Sequence, residues 1–282
     1  MLGASGQYRE FFIKKQNGQS RWIAAPSVEL RQIQRRLLDR YFSHFPIDVC
    51  AKAYVPGRSI RDAAKFHVGQ KALVKFDIQN FFVSIKADLV HQTLLEAGIE
   101  GSIAAALATV CTYRGSLPQG APTSGYLSNM ILQKFDRKVF QFCRKRGLKY
   151  TRYSDDIVIS GNFIRVDVVK EMLVKALSKL GLFLNESKTR FVSYRHRQVV
   201  AGLVVNSCVS PGRTFLRKLR QELFYVEKFG LQGHAASKQY ESAEECLAIL
   251  RGKIAYAEQI TLKRDMYKDS RAMLKILDVR SS

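Results

Sequence analysis

Alternating and short apolar runs, punctuated by turn residues, fill the first two thirds of the chain; helical spacing takes over afterwards. Phe11 to Pro26 predicts a β-hairpin, with Asn17-Gly18 as a two-residue turn signal. Leu30 to Phe42 predicts a helix with Leu30, Ile33, Leu37 and Tyr41 on its core side. Arg31, Arg35 and Arg36 fall largely on the other side. The apolar run from Ala72 to Phe76 ends at Asp77 and reads as a strand. Tyr150, Thr151 and Tyr153 lead into Ser154-Asp155-Asp156, and Ile157, Val158 and Ile159 lead out, a β-prone hairpin with acids at its tip. Val166, Val169, Leu173, Ala176, Leu177 and Leu180 make one helical stripe, which Gly181 caps. Gln198 to Asn206, with the Ser-Pro-Gly that follows, reads as two strands around a turn. Residues 213–282 mix charged and apolar positions in a helical pattern.

A chain of 282 residues with 46% hydrophobic side chains is globular and has room for two or three subdomains. Charge adds a partner. The formal net charge is +22, divided as +9 over residues 1–76, +8 over 77–205 and +5 over 206–282. A basic excess spread this evenly is an extended track for a polyanion, most simply nucleic acid. No long uncharged apolar segment appears, so a membrane partner is not expected. The N-terminus has no signal-peptide core. Cys50, Cys111, Cys143, Cys208 and Cys246 are widely spaced, without a Cys-x-x-Cys. They read as thiols of a reducing, cytoplasmic compartment, not as a disulfide frame or zinc site.

Asp155 and Asp156 are adjacent and repel each other, so they contribute to stability only where a cation holds them. By themselves they are equally good turn residues. Asp77, at a second strand end, changes the balance. Three carboxylates on two strand ends suit a pair of Mg²⁺ ions, roughly 3.5–4 Å apart in two-metal sites. This arrangement resembles the palm of a reverse transcriptase, where the first motif acid and a Tyr-x-Asp-Asp hairpin activate a 3′-hydroxyl and stabilise pyrophosphate.

Other strings carry the resemblance further. Leu117-Pro-Gln-Gly-Ala-Pro-Thr-Ser-Gly-Tyr-Leu-Ser-Asn129 is a Pro/Gly loop entering a helix, between the two acid motifs. It is similar to the bacterial retron type of reverse transcriptase, except that Gly125 stands where a second proline is usual. The resemblance places Gln119 near the base pair and the incoming nucleotide. It implies that Phe82, five residues past Asp77, sits under the sugar and excludes a 2′-hydroxyl. Strand parity alone would put Phe81 on that side, so a turn after Ile78 has to break the alternation. Arg58 follows the tight Pro56-Gly57 turn; it reads as a surface arginine, or by resemblance as a triphosphate clamp. Lys188 reads as a loop lysine, or by resemblance as the group that approaches the triphosphate and donates a proton to pyrophosphate. Two retron marks appear in outline: Ala63-Ala-Lys-Phe-His67, with Ala63 in place of Asn, and Val200-Ala-Gly202, with Ala201 in place of Thr.

The resemblance implies an α+β right-hand polymerase with an antiparallel palm sheet and a helical thumb. Fingers would span 1–71, palm 72–210 with a helical fingers insertion near 99–118, and thumb 211–282. The implied activity is RNA-directed DNA synthesis with two Mg²⁺ held by Asp77, Asp155 and Asp156. Arg58, Phe82, Gln119 and Lys188 would bind the dNTP. A retron enzyme would use its own structured non-coding RNA as template and primer, leave DNA branched from that RNA, and act with a separate effector protein in anti-phage defence. No RNase H domain is expected in 282 residues. The alternatives are a group II intron-like or diversity-generating reverse transcriptase, and an idle RNA-binding scaffold. The intact acids speak against the last.

Overall fold

A computed structural model describes residues 6–14, 18, 20–263 and 267–279 of the chain, the last five of them as backbone only. Strands β1 (Tyr8–Lys14) and β2 (Ser20–Pro26) pair antiparallel from Tyr8↔Pro26 to Lys14↔Ser20. Asn17 of the expected turn lies outside the described residues.

Helix α1 (Val28–Arg40) starts on Ser27, whose side chain accepts the amide of Leu30. Its buried line differs from the expected one. Leu30 and Gln34 are buried, while Ile33 and Tyr41 are 46% and 59% exposed. Gln34 earns its place by hydrogen bonding, because its Nε2 donates to the Tyr8 hydroxyl and the Val110 carbonyl, both at 2.9 Å. Hydropathy does not foresee a polar group whose partners lie far away in sequence.

The central sheet has the order β4-β5-β3-β6 and is antiparallel throughout. It comprises β3 (Ala72–Asp77), β4 (Lys149–Tyr153), β5 (Asp156–Gly161) and β6 (Arg190–Ser193). One side of it closes on the main core, where Val74, Phe76, Ile157 and Ile159 meet helices α4 (Ala87–Glu96), α5 (Gly101–Cys111), α6 (Ser124–Ile131), α7 (Gln133–Arg144) and α8 (Val166–Leu177). Leu73 and Val158, at alternate positions, point to a second cluster on the opposite face. The expected stripe of α8 is confirmed, with Val169, Leu173, Ala176 and Leu177 buried. Gly181 follows with φ +67°, the left-handed cap that glycine adopts without strain.

That second cluster joins three remote pieces. Ala63 and Ala64, of the short turn Ile60–Ala64 (α2), pack with Val200 and Leu203. The latter belong to the small hairpin β7 (Val199–Val200) and β8 (Leu203–Val204), whose turn residues Ala201 and Gly202 both have positive φ, as a type I′ turn requires. Ile260 from the C-terminal helices completes it, and the Arg61 side chain donates to the Ile260 carbonyl at 3.0 Å. The two strings read as retron marks thus lie in one cluster.

The C-terminal segment forms its own core. Helices α9 (Arg213–Lys238), α10 (Ala243–Thr261) and α11 (Lys268–Val279) bury Leu219, Leu223, Val226, Leu250, Ile254 and Leu274 together. Each such side chain contributes about 1.5–3 kcal/mol of burial. Gly230, at φ +73° and ψ 170°, breaks α9 into two straight pieces. Among the described residues, no helix is long and apolar enough to cross a membrane.

Candidate active site

Chain geometry at two turns brings the acids together. Asp77 is the last residue of β3 and pairs across the ladder with Asp156, the first of β5. Asp155 sits in the two-residue turn between β4 and β5, with Ser154 at φ +60° before it. The Asp155 carbonyl accepts the Ile78 amide at 3.1 Å, which ties the hairpin tip to the end of β3. Like charges facing each other across a ladder are unfavourable, so this junction is not built for stability.

Burial raises the Asp155 carboxyl above its ordinary value, with the charge of Asp77 adding to the effect. Asp156 is raised as well, first by burial, while Lys75 and Lys188 pull against it and Asp155 and Asp77 push with it. Lys188, from the turn Glu186–Lys188, donates to both oxygens of Asp77 at 2.9 and 2.8 Å.

The three acids line one cavity of about 580 Å³ together with Phe82, Gln119, Lys188, Tyr54, Arg21 and Trp22. The donor chemistry, hard carboxylate oxygens in a polar hollow, fits divalent cations such as Mg²⁺. The ligand shell is not closed: among the described residues, no three His, Cys, Asp or Glu side chains converge as a ready metal set. The ammonium of Lys188, seated on Asp77, takes up the charge that a cation would otherwise balance. The three carboxylates expected from the sequence share this one cavity.

Phe82 reaches the cavity because the alternation is broken. Asn80 has φ +47°, and a four-residue helical turn, Phe81–Ser84 (α3), begins after it. Phe81 is 5% exposed, belongs to the core and also borders the cavity, whereas Phe82 is only partly buried and borders it from α3. Gln119 is held through its backbone, whose carbonyl accepts the Ala24 amide at 3.0 Å. Gly120 explains how that loop comes so near β2, since a Cβ there would lie 2.7 Å from the Ala24 carbonyl oxygen.

Arg58 departs from expectation. Its guanidinium donates to the carbonyls of Asp48 and Ala51 at 2.6 Å each and of Ile47 at 3.1 Å. It lines a separate hollow with Pro56 and Tyr126, not the cavity of the acids. Carbonyls of an irregular loop need donors, and a five-donor fork supplies them; the Asp48 carbonyl also accepts the Ala51 amide at 3.2 Å. Here Arg58 braces its loop, apart from the cavity of the acids.

Sequence reasoning missed the support beneath the hairpin. Arg152, fully buried in β4, donates through Nε and a terminal nitrogen to both oxygens of Asp136 at 2.9 and 2.6 Å. Its remaining donors reach the Ser154 carbonyl at 2.9 Å and Asn129 Oδ1 at 3.0 Å. The Tyr150 hydroxyl also donates to Asp136. Burial alone works against the charged guanidinium; the Asp136 carboxylate outweighs it and holds Arg152 above its ordinary pKa. The available signals were a lone Arg inside an alternating strand and a lone Asp on the apolar face of α7.

His67, also fully buried, bridges the two hairpin strands. Nδ1 meets the Ser160 hydroxyl at 2.6 Å and Nε2 the Thr151 hydroxyl at 2.7 Å. Burial drives its pKa down to about 3, so the ring is neutral and serves as one donor and one acceptor.

An antiparallel sheet carrying paired acids at one end, a Pro/Gly loop over them and a separate helical unit behind defines a right-hand polymerase. The family described as reverse transcriptase (RNA-dependent DNA polymerase) matches residues 13–233. The retron Ec86 reverse transcriptase of Escherichia coli is 30% identical over 79% of this chain and 71% of its own length. The retron Mx65 reverse transcriptase of Myxococcus xanthus is 30% identical over 90% of this chain, which spans 61% of that relative's length. Apo telomerase from Candida tropicalis shares the fold at a TM-score of 0.57, with 12% identity, 98% of this chain and 59% of that one covered. The chain belongs to the reverse transcriptase family, and its type is that of the bacterial retrons.

Proposed function

We propose that this protein copies a structured non-coding RNA into DNA that stays branched from that RNA, and that it does so with dNTPs at the cavity of Asp77, Asp155 and Asp156. The observation that carries the reading is the meeting of those three carboxylates with Phe82, Gln119 and Lys188 in one hollow of a reverse transcriptase fold. Asp77, Asp155 and Asp156 would hold two Mg²⁺ ions, which when bound activate the 3′-hydroxyl and stabilise the leaving pyrophosphate.

The chain's own groups do the rest. Gln119 stands on a loop pinned to β2 and orients the incoming base; the Phe82 ring offers a flat apolar surface to a deoxyribose and no room for a 2′-hydroxyl. Lys188 carries the mobile charge: released from Asp77, its ammonium is placed to meet the triphosphate and to give a proton to pyrophosphate. Arg58 is not assigned to the nucleotide. The fingers, palm and thumb are taken as 1–71, 72–210 with an insertion near 99–118, and 211–282. A +22 charge spread along the chain supports a long nucleic-acid track. Branched priming and a separate effector protein in anti-phage defence are part of this proposal, which follows from likeness to proteins named retron reverse transcriptases.

The test is to purify the protein, extract bound nucleic acid at high salt, and follow primer extension on an RNA template with Mg²⁺. Affinity for unspecific RNA should fall with salt at a log–log slope of about 0.7–0.9 per phosphate contacted, while the cognate RNA persists. Extended DNA whose mobility changes on debranching supports the retron reading. Active enzyme whose DNA is untouched by debranching refutes it and leaves the general polymerase. RNA binding without any extension would instead identify a scaffold.

A further inference from the structure

One wall of the cavity is formed by Tyr54, which the sequence reading left without a role. Tyr54 lies between the buried Ala53 and the Val55-Pro56-Gly57 turn, and its backbone is left-handed, with φ +60°. A bulky residue rarely takes that conformation, which persists only where its surroundings impose it. Three restraints do so here. The Ala53 carbonyl accepts Asn129 Nδ2 at 2.8 Å. The ring lies flat on Gly125, where a Cβ would run into it. The hydroxyl shares a hydrogen bond of 3.2 Å with Ser154 Oγ, next to Asp155.

The ring also meets Phe82, with centroids 6.1 Å apart and planes at 58°. Tyr54 is nevertheless 51% exposed and lines the cavity of the acids. A strained, restrained and yet exposed aromatic is not explained by core packing. Gly125 leaves the space that the ring occupies.

We propose that Tyr54 is a positioning residue for sugar selection. Its ring buttresses Phe82 against the bound sugar, and its hydroxyl keeps the tip of the acid hairpin in register with that gate. The inference rests on reading Phe82 as the sugar-facing residue, so the experiment tests both separately.

The measurement is the ratio of kcat/KM for dNTP over NTP in primer extension, on wild type, Tyr54→Ala, Tyr54→Phe, Phe82→Ala and the Tyr54→Ala/Phe82→Ala double variant. Thermal melting confirms that each variant is folded; because Tyr54 is half exposed, Tyr54→Ala should fold. Tyr54→Ala is expected to lower the ratio about tenfold, the size of a modest pocket contact. Tyr54→Phe should keep the ratio and lower kcat only. The double variant should discriminate no worse than Phe82→Ala, because the buttress has nothing left to hold. A wild-type ratio in Tyr54→Ala beside a reduced one in Phe82→Ala overturns the inference and leaves the gate in place. A wild-type ratio in active Phe82→Ala removes the gate and the buttress together. Loss in Tyr54→Phe equal to that in Tyr54→Ala also overturns it, since the ring would not be what matters.

Discussion

The ammonium of Lys188 rests between the two carboxylate oxygens of Asp77, 2.9 and 2.8 Å away, and so the charge expected at the triphosphate lies on the first of the three acids proposed for catalysis. The lysine side chain is 49% exposed and the aspartate 10%, so the pair is partly screened.

Lys188→Ala should cost stability, on the order of 1–3 kcal/mol, because it leaves the nearly buried Asp77 carboxylate without its cation. Extension should slow by roughly 10²-fold, the lower end of what one general acid supplies. Steady-state kinetics beside a denaturant melt separate the two effects. Unchanged kcat would remove Lys188 from the chemistry.

Asp155→Asn should abolish extension while leaving the protein at least as stable as wild type in chelator at pH 7. Folding raises this carboxyl's pKa, so the native state is favoured below the ordinary value of 3.8 and loses that advantage as pH rises through the raised native value. The amide avoids this loss at neutral pH, and the difference between variant and wild type should close towards pH 3.8. Melts across that range, with primer extension at pH 7, check both parts; extension like wild type would sink the assignment of the acid.

His67 gives the opposite slope. Its pKa falls from 6.5 to about 3 on folding, so its contribution is complete above pH 6.5 and is lost as pH drops through that window. The loss is about 1.4 kcal/mol per pH unit. His67→Gln should flatten the pH dependence and lower stability at pH 8 by about 1–3 kcal/mol, because the Ser160 and Thr151 hydroxyls lose a partner. Urea midpoints from pH 4 to 8 measure this; an equally steep slope in the variant would place the titrating group elsewhere.

Arg152→Met should destabilise by about 3–5 kcal/mol, since it leaves the Asp136 carboxylate buried without its cation. Adding Asp136→Leu should return part of that loss, an interaction readable in a double-mutant cycle. Strictly additive losses would mean that the two side chains do not act as a unit.

Much of this architecture is legible in the sequence. The acid hairpin, the strand ending at Asp77, the α8 stripe with Gly181 and the C-terminal helices follow from periodicity and turn chemistry. What hydropathy misses is polar burial satisfied at long range. Gln34 replaces Ile33 on the buried line of α1 because Tyr8 and Val110 supply its partners. Arg58 is held by three loop carbonyls that no local pattern announces. Phe82 required a break in strand parity, and one left-handed residue, Asn80, provides it.

The hairpin that carries the acids is not self-sufficient. Its buried guanidinium, Arg152, finds Asn129 and Asp136 on the two helices that precede it, all within one continuous stretch of chain. A transplant of residues 149–161 into another sheet would bring a cation with no anion to meet it. A transplant beginning at residue 124 carries its own counter-charge. The shortest stretch that keeps the hairpin's buried charge paired is therefore two helices longer than the motif that marks it.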